Sequence, residues 1–255
     1  MFQDRRFKEW KINRTLFEKK LLSLEFPLKF DAILLTALDE YFKESKASIR
    51  IHKADSVIDN WKEINELFPN SKSIYIVRDP RAIFRSQIEM LEILNNKNKN
   101  HIYGFITAYK SRSKLVKNYF TDSNFLLVKY EDLINNKKSV IDKILSFIEL
   151  DNQQKKNSHN NYLNKIPYYE RPIHTNINSE PLHANINKWE NALNPWTISI
   201  IEKMLQKEMK YFSYSTMNIN LEMAEKKQYY KLLWKYLIFS IKRIVVNILK
   251  YFRVR

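Results

Sequence analysis

Residues 74–77, Ile-Tyr-Ile-Val, run straight into Arg78-Asp79-Pro80, and a helical spacing of apolar residues begins behind the proline. A short apolar run bounded by a turn signal reads as a buried strand, and proline fits only the first turn of the helix that follows. Strand, turn and helix in that order make a piece of an open α/β sheet, where ligands bind beyond the C-terminal ends of the strands. Arg78 stands at such an end and Ser86 follows eight residues later, so a guanidinium and a hydroxyl can face one crevice. Arginine offers a planar fork of donors suited to phosphate oxygens. Taken alone, Arg78 also reads as a strand-end cap paired with Asp79 or another carboxylate.

The rest of the chain continues the alternation. Apolar spacing predicts a helix over residues 33–42 leading to a short strand at 49–51, and another over 57–67 leading to the strand at 74–77. Residues 101–120 read as a long helix that tolerates Gly104 at a cost of ~1 kcal/mol relative to alanine. A strand at 125–129 is followed by an amphipathic helix around 140–148, and Pro195-Trp196 opens a helix to about Tyr211. Residues 151–187 are polar and Asn-rich, with Pro167, Pro172 and Pro181, a long irregular segment of the kind that covers a ligand. Residues 2–20 are basic and read as helical. The expected architecture is α/β with a mainly parallel sheet, in one domain over 1–222 and a basic C-terminal helix over 223–255.

Phe68-Pro69-Asn70, the strand, Arg78-Asp79-Pro80-Arg81 and Ser86 together resemble the 3′-phosphate-binding segment of the sulfotransferase family. Those enzymes move a sulfuryl group from 3′-phosphoadenosine-5′-phosphosulfate (PAPS) to a hydroxyl or amine. Ile49-Arg50-Ile51-His52-Lys53 resembles the place where many members carry Lys-Thr-His, and residues 125–133 resemble the family's strand followed by Tyr-Glu-Asp-Leu. The likeness spans roughly residues 48–212. It implies a three-layer domain of the P-loop nucleotide-kinase-like type, with Arg78 and Ser86 on the 3′-phosphate of the donor. His52 would be the general base, since imidazole with its ordinary pKa of ~6.5 can take a hydroxyl proton at neutral pH. Asp55 would orient it or stand exposed. Asn185-Ile186-Asn187-Lys188-Trp189 resembles a late segment that folds over the 3′-phosphate, with Lys188 as a second phosphate contact and His183 as a weaker one. The family's frequent Arg-Lys-Gly is here Leu182-His183-Ala184. The reaction implied needs PAPS as donor, a glycan or lipid hydroxyl as acceptor, and no metal.

One family feature has no counterpart. The 5′-phosphosulfate is usually cradled by backbone N–H groups of a glycine-containing N-terminal loop. This chain has a single glycine, Gly104, within a helical stretch, so a member without the N-terminal 5′-phosphosulfate-binding loop is expected. That loop is the main electrostatic stabiliser of the transferring group. A second reading therefore stands beside the enzyme: an inactive or truncated relative that keeps a nucleotide half-site and associates with membranes.

The net charge of +16 and pI near 9.7 call for an anionic partner, and the absence of cysteine excludes thiolate metal sites, disulfides and thiol redox chemistry. No Gly-x-Ser-x-Gly elbow, His-Glu-x-x-His helix or dinucleotide fingerprint occurs, and His101, His159 and His174 lack metal-ligand spacing. Glu131-Asp132 are adjacent and so point in different directions, which disfavours them as a paired acid and base. In the tail, Lys227, Lys231, Lys235, Lys242 and Arg253 gather on one side of a helix, with Arg243 and Lys250 flanking. Leu233, Trp234, Leu237, Ile238, Ile241, Ile244, Val245, Ile248, Leu249 and Phe252 cover most of the remainder. That pattern suits an anionic membrane surface or docking on the domain itself, and no run there reaches the ~18–20 apolar residues that span a bilayer. With no nucleic-acid module present, nucleic acid is not the expected partner. The expected location is the cytoplasm, peripheral to a membrane where the tail binds lipid.

Overall fold

The computed structural model describes residues 8, 10–43, 49–53, 57–94, 102–150, 166, 168–173, 183–217 and 219–253, with side chains of the last helix described through Val246. Asp55, His101, His159, His174, Pro167, Pro181 and Leu182, and the tail side chains of Ile248, Leu249, Lys250, Phe252 and Arg253, lie outside the described residues. The chain divides into two compact units, Met1–Asn70 and Ser71–Arg255, and the C-terminal helix belongs to the second.

The first unit is helical. Asn13 caps α1 (Arg14–Leu22) by accepting from the Leu16 N–H at 3.1 Å, and α1 packs on α2 (Phe30–Phe42) with Phe17 and Ala37 buried. Lys20 pairs with Glu40 across the two helices. A 3₁₀ turn (Ile58–Asn60) leads into α3 (Trp61–Leu67), and Ile58 and Trp61 are buried there. The strand expected at 49–51 does not form: residues 49–53 have no strand pairing, and Ile51 is 80% exposed. A strand needs a neighbour's backbone groups, whereas this segment is tied by a side chain. Arg50 bonds Asp39 of α2 at 2.6 Å and lies 5.4 Å from the centre of the Phe42 ring.

The second unit is α/β. β1 (Ser73–Val77) pairs in parallel with β2 (Phe125–Lys129), Val77 opposite Lys129. α4 (Pro80–Ile93) and α5 (Ile102–Tyr119) make the crossover that parallel pairing requires. Among the described residues the sheet has these two strands. β1 is also half-buried: Val77 is 3% exposed, while Ile74 and Ile76, on the opposite face of the pleat, are 37% and 52% exposed. After β2 come α6 (Tyr130–Asn135), α7 (Lys137–Phe147), a 3₁₀ segment (Tyr168–Ile173), α8 (Ala184–Asn187), α9 (Trp189–Ala192), α10 (Pro195–Tyr211) and α11 (Met223–Arg253). The core joins Ala82 and Phe84 of α4, Ile106 of α5, Trp189 of α9, and Ile200, Ile201, Leu205 and Met209 of α10. Tyr229, Leu232, Tyr236 and Phe239 of α11 pack against it.

With its one glycine in α5, the chain closes helices on other residues. α10 ends with Ser213 at φ 58° and a Tyr214 N–H to Met209 carbonyl bond of 2.8 Å; α7 ends with Glu149 at φ 57° and a Leu150 N–H to Leu145 carbonyl bond of 2.9 Å. These are left-handed caps in which glycine is the ordinary occupant. A side chain there costs roughly 1–2 kcal/mol, against a glycine entropy cost of roughly 0.4–1 kcal/mol, so Ser213→Gly is expected to stabilise by about 0.5–1 kcal/mol. A urea midpoint that falls in the variant would contradict this.

Candidate functional site

The turn after β1 is built on buried charge. Asp79, 6% exposed, caps α4 by accepting from the Arg81 N–H at 2.8 Å, and Pro80 takes the first helical position. The Asp79 carboxylate also receives the Arg81 guanidinium, Nη2 to Oδ2 at 2.6 Å and Nε to Oδ1 at 3.0 Å. Arg81, 3% exposed, then bonds Glu202 of α10 through Nη1 at 2.5 Å and stacks 3.9 Å from the centre of the Trp189 ring. Burial works against its charge, but bonds to Asp79 and Glu202 outweigh burial and raise its pKa further. Asp79 therefore serves Arg81 and not Arg78, contrary to the strand-end pairing that the sequence allowed.

Glu131, at the start of α6, fixes the turn from the other side. Its Oε1 accepts from the Asp79 N–H at 3.0 Å and its Oε2 from the Tyr214 hydroxyl at 2.8 Å. Tyr109 of α5 donates to the Arg78 carbonyl at 3.2 Å. Burial, then the charge of Glu131, pushes the Tyr214 phenol far above its ordinary range, and burial does the same to Tyr109. Both phenols hold their protons more tightly folded than unfolded. Their contribution to stability is thus complete below the ordinary tyrosine value of about 10 and is lost as the pH rises beyond it. Urea midpoints should fall from about pH 10 upward, and Tyr214→Phe should flatten that fall; an unchanged midpoint between about pH 9 and pH 11 would refute the assignment.

Arg78, whose side chain lies 4.2 Å from the centre of the Tyr130 ring, donates from Nη2 to the Asn185 carbonyl at 2.9 Å. Its Nε is buried and makes no hydrogen bond among the described residues. The bond to Asn185 brings the segment around α8 to the end of β1, although 107 residues separate the partners. Lys188, half-exposed, lies between Asn185 and the Trp189 that stacks on Arg81, with its Nζ 3.8 Å from Glu89 Oε1. Glu89 stands one turn after Ser86 on α4 and also pairs with Arg85 at 2.8 Å; Ser86 is exposed. Arg78 thus precedes α4, Ser86 lies on it, and Lys188 reaches its second half through Glu89. His183 is exposed and its Nδ1 lies 3.2 Å from Asn135 Oδ1. His52 lies in the first unit and is exposed. A cleft of about 310 Å³ opens beside the turn, lined by Asp79, Arg81, Lys129, Glu131, Trp189 and Tyr214 among others.

Sequence reasoning passed over Arg81, Glu202 and Trp189 as a unit. A signal existed: Glu202 follows Ile198 by four residues and precedes Leu205 by three, so a carboxylate occupies the apolar face of α10 and requires a buried cation.

Comparison with known proteins gives a family and, separately, a fold. The sulfotransferase family model matches residues 3–154, more than half of the chain, and the chain belongs to the sulfotransferase family. The family generally takes its sulfuryl group from PAPS. Among solved structures, the sulfotransferase domain from the curacin biosynthetic pathway is similar in fold, with a TM-score of 0.54 and 15% identity, over 83% of this chain and 78% of that one. No curated protein matches the chain.

Proposed function

We propose that this protein binds PAPS at the end of β1 and transfers its sulfuryl group to a hydroxyl of a glycan or lipid acceptor. The observation that supports the reading is the Arg78–Asn185 bond, which ties the end of β1 to the segment that carries Lys188. The 3′-phosphate of the donor would sit at Arg78: its buried Nε has no partner among the described residues, and a phosphate oxygen would supply one. Lys188 would exchange its 3.8 Å contact with Glu89 for a second phosphate oxygen, and the Ser86 hydroxyl would donate a third bond.

Transfer is a single displacement at sulfur. The acceptor oxygen attacks the sulfuryl sulfur, the bond from sulfur to the 5′-phosphate oxygen breaks, and adenosine 3′,5′-bisphosphate leaves. The acceptor proton passes to a general base, which family resemblance assigns as His52. The reading includes the three-layer P-loop-type domain that such donors occupy. No step needs a metal.

One observation favours a second reading, a nucleotide-binding relative without turnover: the single glycine, Gly104, stands inside α5, so no glycine loop is present for the 5′-phosphosulfate. Calorimetry with adenosine 3′,5′-bisphosphate, then transfer of labelled sulfate from PAPS to glycan and lipid acceptors, separates the two. Binding with transfer supports the enzyme, and binding without transfer supports the silent relative. No binding at millimolar nucleotide overturns both.

A further inference from the structure

We propose that the outer face of α11 lies on an anionic lipid surface. Docking splits the apolar residues of this helix into two sectors. The inner one, Tyr229, Leu232, Tyr236 and Phe239, packs on the core, with Tyr236 and Phe239 ring centres 6.0 and 5.9 Å from that of Tyr103. At about 100° per residue, the other falls on the opposite side: Tyr230, Trp234, Leu237, Ile241, Ile244 and Val245, all exposed, Trp234 by 66%. Docking on its own domain therefore accounts for one sector and leaves the second uncovered among the described residues.

The charges say what covers it. Lys231, Lys235 and Lys242 form a stripe along one edge of the outer sector, and no Asp or Glu follows Glu225 anywhere in the chain. An aliphatic face edged by lysines, with an exposed Trp and Tyr, matches the boundary between acyl chains and anionic headgroups. No described helix is long and apolar enough to cross a membrane, so the geometry is that of a helix lying in the interface plane. Nucleic acid would use the lysines and aromatic rings but gain nothing from Ile241, Ile244 and Val245. The inference stands apart from sulfuryl transfer, because its test needs no nucleotide.

The test is sedimentation of the full chain with phosphatidylcholine vesicles, plain or carrying about 30% phosphatidylserine, at physiological salt. Binding is expected with the anionic vesicles and weak or absent with the neutral ones. Lys231→Gln with Lys235→Gln and Lys242→Gln should weaken it by about a hundredfold. Trp234→Ser with Ile241→Ser and Ile244→Ser should weaken it at least about tenfold. The substituted side chains are exposed, so an unchanged melting temperature verifies the fold in each variant. Wild type that fails to sediment with anionic vesicles overturns the proposal. So does an aliphatic variant that binds as wild type, which would mark a purely electrostatic surface of the kind that single-stranded RNA also occupies.

Discussion

Arg81→Leu is expected to destabilise the protein by about 3–5 kcal/mol, because it strands the carboxylates of Asp79 and Glu202 in the core. Both are buried and both pair with this one guanidinium, at 2.6 Å and 2.5 Å; the bonds that remain come from the backbone N–H groups of Arg81 and Met217 and carry no full charge. The stacking on Trp189 goes as well, worth roughly 0.5–2 kcal/mol. Arg81→Lys should recover only a small part, since an ammonium cannot fork to two carboxylates from one position. Combining Arg81→Leu with Glu202→Leu should be less damaging than Arg81→Leu alone, because it removes one of the stranded charges. Urea unfolding followed by far-ultraviolet circular dichroism reads all three. A loss below about 1 kcal/mol in Arg81→Leu would mean that the cluster is ornamental.

Arg78→Ala is expected to do the reverse, sparing stability and removing ligand. The wild-type side chain has one hydrogen bond to a carbonyl and one aromatic face among its described contacts, so truncation should cost no more than about 2 kcal/mol of folding free energy. Losing a buried charged donor to a phosphate should cost about 2–5 kcal/mol of binding, or about thirty- to several-thousand-fold in affinity for adenosine 3′,5′-bisphosphate. Arg78→Lys keeps the charge without the fork and should fall between. Wild-type affinity in Arg78→Ala, measured by calorimetry on protein with an unchanged unfolding midpoint, would remove the site from the end of β1. The contrast between neighbouring arginines is the test: Arg81 holds the turn together through Asp79 and Glu202, and Arg78 is the side chain proposed to meet the phosphate.

Much of this fold is written in local spacing. Residues 74–77, Pro80, residues 125–129 and the apolar rhythm of 195–211 each determine their element through contacts a few residues apart, and the structure has the corresponding strands and helices. The strand expected at 49–51 was misread for a physical reason. Alternating Ile49, Arg50 and Ile51 has the period of a strand, but pairing depends on a partner that a single segment does not encode, and Arg50 instead reaches Asp39. Arg78, Ser86 and Lys188 are assigned by resemblance, while the buried cluster around Arg81 was not legible in the sequence. Arg81 looks like a surface helix residue because its partner Glu202 lies 121 residues away, and only the fold brings the two together. His52 remains assigned by resemblance alone.

The inward rings of α11 have a consequence for how the C-terminus can be studied. Tyr229, Leu232, Tyr236 and Phe239 shelter α5 and α10, so a chain shortened after Met223 would lay bare part of its interior and tend to clump. Truncation would then mimic a lost affinity by way of a lost fold. This last helix is both lining and skin, and only single replacements on its weather side can tell the two duties apart.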